Sequence, residues 1–423
     1  MDDRTRWGAR DAIMTALVLV AGSLLAVVAS HAQSKGEVVI GLQCDRTGAT
    51  QVVEVVLCHG SHDYIALVNS QGGVEGYHIK ALEVDHEPMV PPALASYERC
   101  KKEGAVSIAV YGPPQIYALA RKLTEDRIPG TSLGLGSADA GDGSRYPYIF
   151  PVAATYWSQG AAAVDFVKKQ LGGLKGKRIG FIFYDDPAGR EPIAVLEDLS
   201  VKEGFQLRTF AVPPPGAEIG AQVLDIARRY RADFVIAHLF GAAAGVSIKE
   251  LKHVGYPLRK VVSFVWGSAE TSIDAAGGFA MAAGYYTMQF AGVGSDYPVL
   301  DEIREMYKNQ GKEAPKEMAS TVSYNRGVLI AALHVEAIRN ALKAKADGTI
   351  TGTDVKAGFE KISNFTLGGL VPPLKVTPTD HEGGGLVQIW QVRGGKLVKV
   401  TEWFNAYTGV VQKHVKEAGK KKS

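Results

Sequence analysis

The chain has 423 residues, 46% of them hydrophobic and 22% charged, with a formal net charge of +3. That balance fits a globular chain with room for two or three domains and excludes a disordered one. A charge this close to neutral gives no footing for nucleic acid as a partner.

The first residues read as a processing segment. Arg4, Arg6 and Arg10 precede an apolar run from Ala12 to Val28, and Ser30-His31-Ala32 places small residues before a cut. Residues 1–32 are therefore expected as a signal peptide, cleaved after Ala32. The alternative is an uncleaved anchor, because the run is long for a signal. No cysteine follows the small residues, so no lipid anchor is expected. Export implies an oxidising compartment. Cys44, Cys58 and Cys100 allow at most one internal bridge; Cys44–Cys58, Cys58–Cys100 and free thiols all stay open. Only His59 and His62 lie nearby, so no metal site is expected.

Next, Val38 to Leu42 reads as a buried strand, Gln43 to Thr50 as a polar loop and Gln51 to Asn69 as a helix. Gly72 and Gly73 can take the positive φ that ends a helix, and Gly76 permits a bend into the strand His78 to Val84. Helices follow at Pro92–Glu103 and Gln115–Asp126, with strands at Ala105–Gly112, from Ile128, and at Tyr148–Val152. This alternation predicts a mostly parallel sheet covered on both faces. A second run repeats it. Helices are expected at Trp157–Gln170, Pro192–Glu203 and Ala244–Val254, and one ends near Arg231. Strands are expected at Arg178–Tyr184, Gln206–Ala211, Ala232–His238 and Val261–Val265. Gly284 to Phe290 reads as a strand crossing back, Pro298–Gln310 and Thr321–Ala344 as helices, and Leu386–Val392 with Lys396–Glu402 as a hairpin at Gly394-Gly395. The lysines at the end, Lys413 to Lys422, read as a solvated tail.

No nucleophile elbow, P-loop or Cys-x-x-Cys is present, so no enzyme and no cofactor are expected. Gly134 to Gly143 is glycine-rich but lacks the dinucleotide spacing. "VDHE" at 84–87 and "TDHEGGG" at 379–385 read as solvated turns. The informative residues sit at strand ends, where open α/β sheets hold ligands. In the first lobe these are Asp45, Arg46, Thr47, Tyr111, Gln115, Ser132, Gly134, Gly136 and Ser137. In the second they are Tyr156, Tyr184, Asp186, Phe240 and Trp266, and the crossover adds Gln289 and Phe290. Aromatics and neutral hydrogen bonders with few charges suit a small organic ligand held by apolar walls. Asp186 reads equally well as a helix cap.

"VNSQGGVEGYHIKALEVDHE", set after "VVIGLQCDRTGA", resembles the opening of the branched-chain amino-acid type of ABC-transporter substrate-binding proteins, the Leu/Ile/Val-binding group. "STVSYNRGVLIAALHVEAIRNAL" resembles that family's long helix. The order of elements matches through to about Trp403. The resemblance implies an α/β chain of two doubly wound Rossmann-like lobes, with three crossover hinges and an interlobe ligand cleft. Its lobes would be 36–153 with 286–378, and 154–285 with 379–415. It implies a monomer that delivers a small molecule to a separate membrane permease. The family's carboxylate-binding loops correspond to Tyr111–Gln115 and Ser132–Gly136; Pro113 and Pro114 stand where donors are usual. The acidic residue that pairs with a ligand ammonium corresponds to Trp266, with Glu270 four residues on, and a usual tyrosine corresponds to Ala188. An aromatic or other organic acid, or an amide, is therefore expected over an α-amino acid, with Arg46 able to meet an acid group.

Overall fold

The computed structural model describes residues 34–420 apart from Ala49, Pro88, Leu135, Ser137, Ala346 and Asp347. The expected signal peptide, Ser137 and the last lysines lie outside the described residues.

Two sheets carry the chain. The first has five strands in the order β2-β1-β3-β4-β5: β1 Glu37–Cys44, β2 His78–Asp85, β3 Ala105–Ala109, β4 Gly130–Thr131 and β5 Ile149–Phe150. All its pairings are parallel. Helices α1 (Gln51–Ser70), α2 (Val90–Lys102) and α3 (Pro113–Asp126) return the chain between its strands. The second has seven strands, ordered β12-β11-β10-β9-β8-β6-β7. They are β6 Arg178–Tyr184, β7 Gln206–Val212, β8 Phe234–His238, β9 Val261–Ser263, β10 Tyr286–Gln289, β11 Gln388–Arg393 and β12 Lys396–Lys399. Strands β6 to β10 run parallel, and β11 and β12 close the edge as an antiparallel hairpin. The crossovers run from β5 into α4 (Tyr156–Leu171), from β10 into α7 (Pro298–Asn309), and back before β11; α5 (Ile193–Glu203) and α6 (Gly241–His253) lie between.

The expected strand from Gly284 is present but does not return to the first lobe. β10 hydrogen-bonds with β9 on one side and β11 on the other, deep in the second sheet. The chain rejoins the first lobe after it, so the boundary expected at 286 falls later. An apolar strand reads alike in either sheet, and only its partners decide.

α8 (Thr321–Ala344) is buried on nearly every face and packs on α1 and on α9 (Gly352–Phe359). Close approach rests on Gly60 and Gly327: a Cβ on either would strike the other helix's backbone at Tyr324 or Leu57. The Ser61 hydroxyl donates to the Gly327 carbonyl at 2.8 Å. Asp63 accepts from the hydroxyls of Tyr307 and Tyr324, both at 2.6 Å, tying α1 to α7 and α8. Val328, Leu329 and Leu333, all at 0% exposure, each add roughly 1.5–3 kcal/mol of burial.

Cys44 and Cys58 form the disulfide, joining the end of β1 to α1, and Cys100 is a buried free thiol. The turns around His86 and His381 are not solvated as the sequence implied. Both histidines are buried; His381 stacks on Phe150 at 4.0 Å, with its Nδ1 2.7 Å from the Ile149 carbonyl. The last helix, α10 (Thr408–Lys420), lies across the second lobe and meets the first at Ala138–Gly141. Asp142, Asp380, Glu382 and Gln412 share a pocket with it there.

Candidate functional site

The carboxyl ends of the two sheets face each other across a cavity of about 300 Å³. The first lobe supplies Thr50, Val53, Tyr111, Gly112, Pro113, Pro114 and Gln115; the second supplies Tyr156, Tyr184, Ala188, Pro215, Phe240, Gly241, Ala242 and Trp266. Each follows from where its element stops. β3 ends at Ala109, so Tyr111 and the start of α3 project over the sheet edge. β8 ends at His238, which puts Phe240 at the mouth of α6.

The walls are aromatic. Tyr156 and Phe240 lie 6.3 Å apart between centroids, and Tyr184 meets Phe240 edge-on at 5.7 Å. His238 forms the floor beneath them, 4.3 Å from Tyr156 and 4.7 Å from Phe264. Burial pushes its pKa down to about 3, so it is a neutral packing ring. The polar elements are few. α6 begins at Gly241, leaving the N–H groups of Gly241 and Ala242 without carbonyls in their own helix. Pro113 and Pro114 open α3 and have no N–H, so the first lobe's matching helix offers donors only from Gln115. Tyr111 is half-buried, with its hydroxyl beside that of Thr50. No Arg, Lys, Asp or Glu lines this cavity among the described residues.

Trp266 is the joint between lobes. Its Nε1–H donates to the Gly134 carbonyl at 2.9 Å, and Gln159 donates to the same oxygen at 3.1 Å. Arg326, on α8, is held between the Trp266 and Phe290 rings, 4.9 and 4.8 Å from their centroids. Its Nη2 donates to the Val265 carbonyl at 2.8 Å and to Gln289 at 2.7 Å. Burial draws the Arg326 pKa down to about 9, with the charge of Glu270 opposing it. A third tie runs from the Ala138 N–H to Glu191 at 2.9 Å.

Of the sixteen strand-end residues proposed from the sequence, the structure brings Tyr111, Gln115, Tyr156, Tyr184, Phe240 and Trp266 to the cavity wall. Ser137 is outside the described residues, and the others are not part of that wall. Arg46 makes a two-pronged ion pair with Glu83 on β2, at 2.6 and 2.7 Å, and faces away. Asp186 caps the helical turn Pro187–Arg190, accepting from the Gly189 N–H at 2.6 Å. Gln289 is turned toward Ser268 and Arg326. Gly134 and Gly136 shape the joint, packed against Phe290 and against Pro113 with Glu191, and Ser132 is buried. Glu270 is also off the cavity: it accepts from the Thr321 hydroxyl at 2.7 Å and from the Val322 N–H.

Sequence reasoning missed Thr50, Val53, Pro215, Gly241 and Ala242 as lining, and it missed Arg326. Pro215 had a signal in the triple proline at 213–215. Glu54 was missed too, although a lone acid inside "QVVEVVLC" is itself unusual.

Two parallel α/β lobes, crossed more than once and closing on an aromatic cavity, define a two-lobed solute-binding protein. The chain belongs to the periplasmic binding protein family, whose model matches residues 37–396. A Pseudomonas fluorescens group structure described as an ABC transporter permease is 30% identical, with a TM-score of 0.83, covering 90% of this chain and 95% of that one. A Thermus thermophilus branched-chain amino acid ABC transporter protein with bound valine is 20% identical at a TM-score of 0.78, covering 90% and 99%. A Thermomonospora curvata fatty acid ABC transporter substrate-binding protein is 17% identical at 0.75, covering 90% and 94%. No curated protein sequence matches the chain. The family expected from the glycine turn and the long helix is the family found.

Proposed function

We propose that this protein is the periplasmic solute-binding component of an ABC importer, exported by a leader cut after Ala32, and that it captures a small aromatic or other organic acid, or an amide. The lobes hinge shut on the ligand and present a joined surface to a membrane permease. No bond is made or broken; the permease and its ATPase are separate chains. Among the described residues no helix is long and apolar enough to cross a membrane.

The observation that carries this reading is the wall itself: five aromatic rings, backbone donors at Gly241 and Ala242, and, among the described residues, no carboxylate facing the cavity. An α-ammonium there would be buried without a counter-charge, which is costly. Trp266 stands where amino-acid binders place an acid, and Glu270 is committed to capping α8.

The test is a thermal-shift panel on the chain from Gln33, followed by calorimetry. Ligands that bind only the folded state raise the melting temperature, by about 2.7 kcal/mol at a hundredfold excess over Kd. Shifts with aromatic acids or amides and none with leucine or valine are expected. A shift with valine alone would return the protein to the branched-chain amino-acid binders, the reading favoured by the valine-bound Thermus structure. A sensor of the same fold would bind alike and differ only in its partner.

A further inference from the structure

Beneath the main cavity lies a second of about 30 Å³, and Tyr111 and Trp266 line both. This is room for a water or for one polar head group. Glu54, on the first turn of α1, lines the inner chamber and is 1% exposed. Its Oε1 has no hydrogen-bond partner, while the Asp45 N–H serves the carboxyl from the other side. Gln43, Ser61 and Thr131 supply the rest of the polar lining.

A buried polar atom without a partner is expensive in a native fold and calls for an explanation. Burial first, and then the nearby Asp45, push the Glu54 pKa up to about 8. Arg46 counters this from the loop after β1, Glu83 adds to it from β2, and Tyr111 faces it from the end of β3. α8 offers only Ile330 to this chamber. At neutral pH the group is therefore a carboxylic acid with an O–H to donate.

We propose that Glu54 is a ligand-recognition residue, donating a hydrogen bond to an acceptor oxygen, a carboxylate or an amide carbonyl, that the ligand carries past Tyr111 and Trp266. The inference rests on the aromatic-ligand reading above and adds its polar half. The ring lies among Tyr156, Tyr184 and Phe240, and the head group points into the first lobe. The second lobe's absent acid is then unnecessary, because the ligand presents an acceptor and no cation.

Benzoate, benzamide and benzylamine share one ring and differ in the head group, so calorimetry with these three decides. Wild type should bind benzoate and benzamide and reject benzylamine. Benzoate affinity should fall about tenfold per pH unit above roughly pH 8, as Glu54 ionises and repels the carboxylate. Glu54→Gln keeps an N–H donor, so it should retain benzoate within a few-fold and lose the pH dependence. Glu54→Leu should lose more than tenfold while remaining folded by circular dichroism. Benzylamine binding best, with affinity rising with pH, would overturn the proposal in favour of an ionised Glu54 that meets a cation. Ring compounds that bind with no sensitivity to pH or to either variant would remove Glu54 from recognition and leave the aromatic reading standing. If none of the three bound, the aromatic reading would fail and this inference with it.

Discussion

Removing the disulfide tests how the first lobe holds its part of the site. Cys44 ends β1 and Cys58 lies one turn beyond Glu54 on α1, so the bridge fastens the helix that carries Val53 and Glu54. The cysteines are 14 residues apart. Closing a loop of that size in the unfolded chain is worth about 3 kcal/mol by the chain-entropy relation. With roughly 390 residues unfolding together at about 2.1 cal/mol/K each, the slope is about 0.8 kcal/mol/K, so the loss becomes about 4 °C. The variant is Cys44→Ala with Cys58→Ala, followed by differential scanning calorimetry with and without dithiothreitol. The double variant should melt about 4 °C lower and ignore the reductant. Wild type should fall to the same value only when reduced, and slowly, because Cys44 and Cys58 are 0% and 2% exposed. A double variant melting with the wild type would refute the argument, since no crosslink would then constrain the unfolded chain. Weaker ligand binding should accompany the loss, as the start of α1 loosens.

Four further substitutions probe the joint. Trp266→Ala should cost about 2 kcal/mol of ligand affinity, some 30-fold in Kd, whereas Trp266→Phe should cost only the hydrogen bond to Gly134, about 1 kcal/mol; calorimetry with the best compound of the panel separates them, and equal losses would mean that the ring does not touch the ligand. Gly134 has φ of 61° and packs on the Phe290 ring. Gly134→Ala should therefore destabilise by about 1–3 kcal/mol in urea unfolding, and an unshifted midpoint would count against that packing. Arg326→Met removes a desolvated charge along with its two hydrogen bonds, so stability should change little while affinity falls about tenfold through a loosened Trp266; unchanged affinity would sink this account of Arg326.

Strands were the easiest elements to read. Ile179–Phe183 is an unbroken apolar run, and the bounds of its strand, Arg178–Tyr184, came directly from the residues. The long helix Thr321–Ala344 was equally legible, because a buried helix of this length has few alternatives. The aromatic half of the site followed from strand ends, where topology alone brings Tyr111, Tyr156, Phe240 and Trp266 together. Pairing was not legible. Arg46 sits in the right loop, but its charge goes to Glu83, which the β1–β2 register brings within reach, since Leu42 lies opposite Glu83. Gln289 likewise has a polar side chain at a strand end, yet a buried guanidinium from a distant helix takes it. Glu54 was hidden for the opposite reason: within a helix, sequence shows that an acid faces inward only when the whole face is known.

The position of the last helix bears on any attempt to turn this protein into an optical sensor. α10 spans from the second lobe to the turn Ala138–Gly141 of the first, close to where the crossover residues Asp380 and Glu382 pass. A fluorophore fused at that end would sit where the two lobes already touch, so under the proposed closure it would move little and report little. Dyes placed one on α1 of the first lobe and one on β7, the edge strand of the second sheet, would follow the proposed closure as a change of separation.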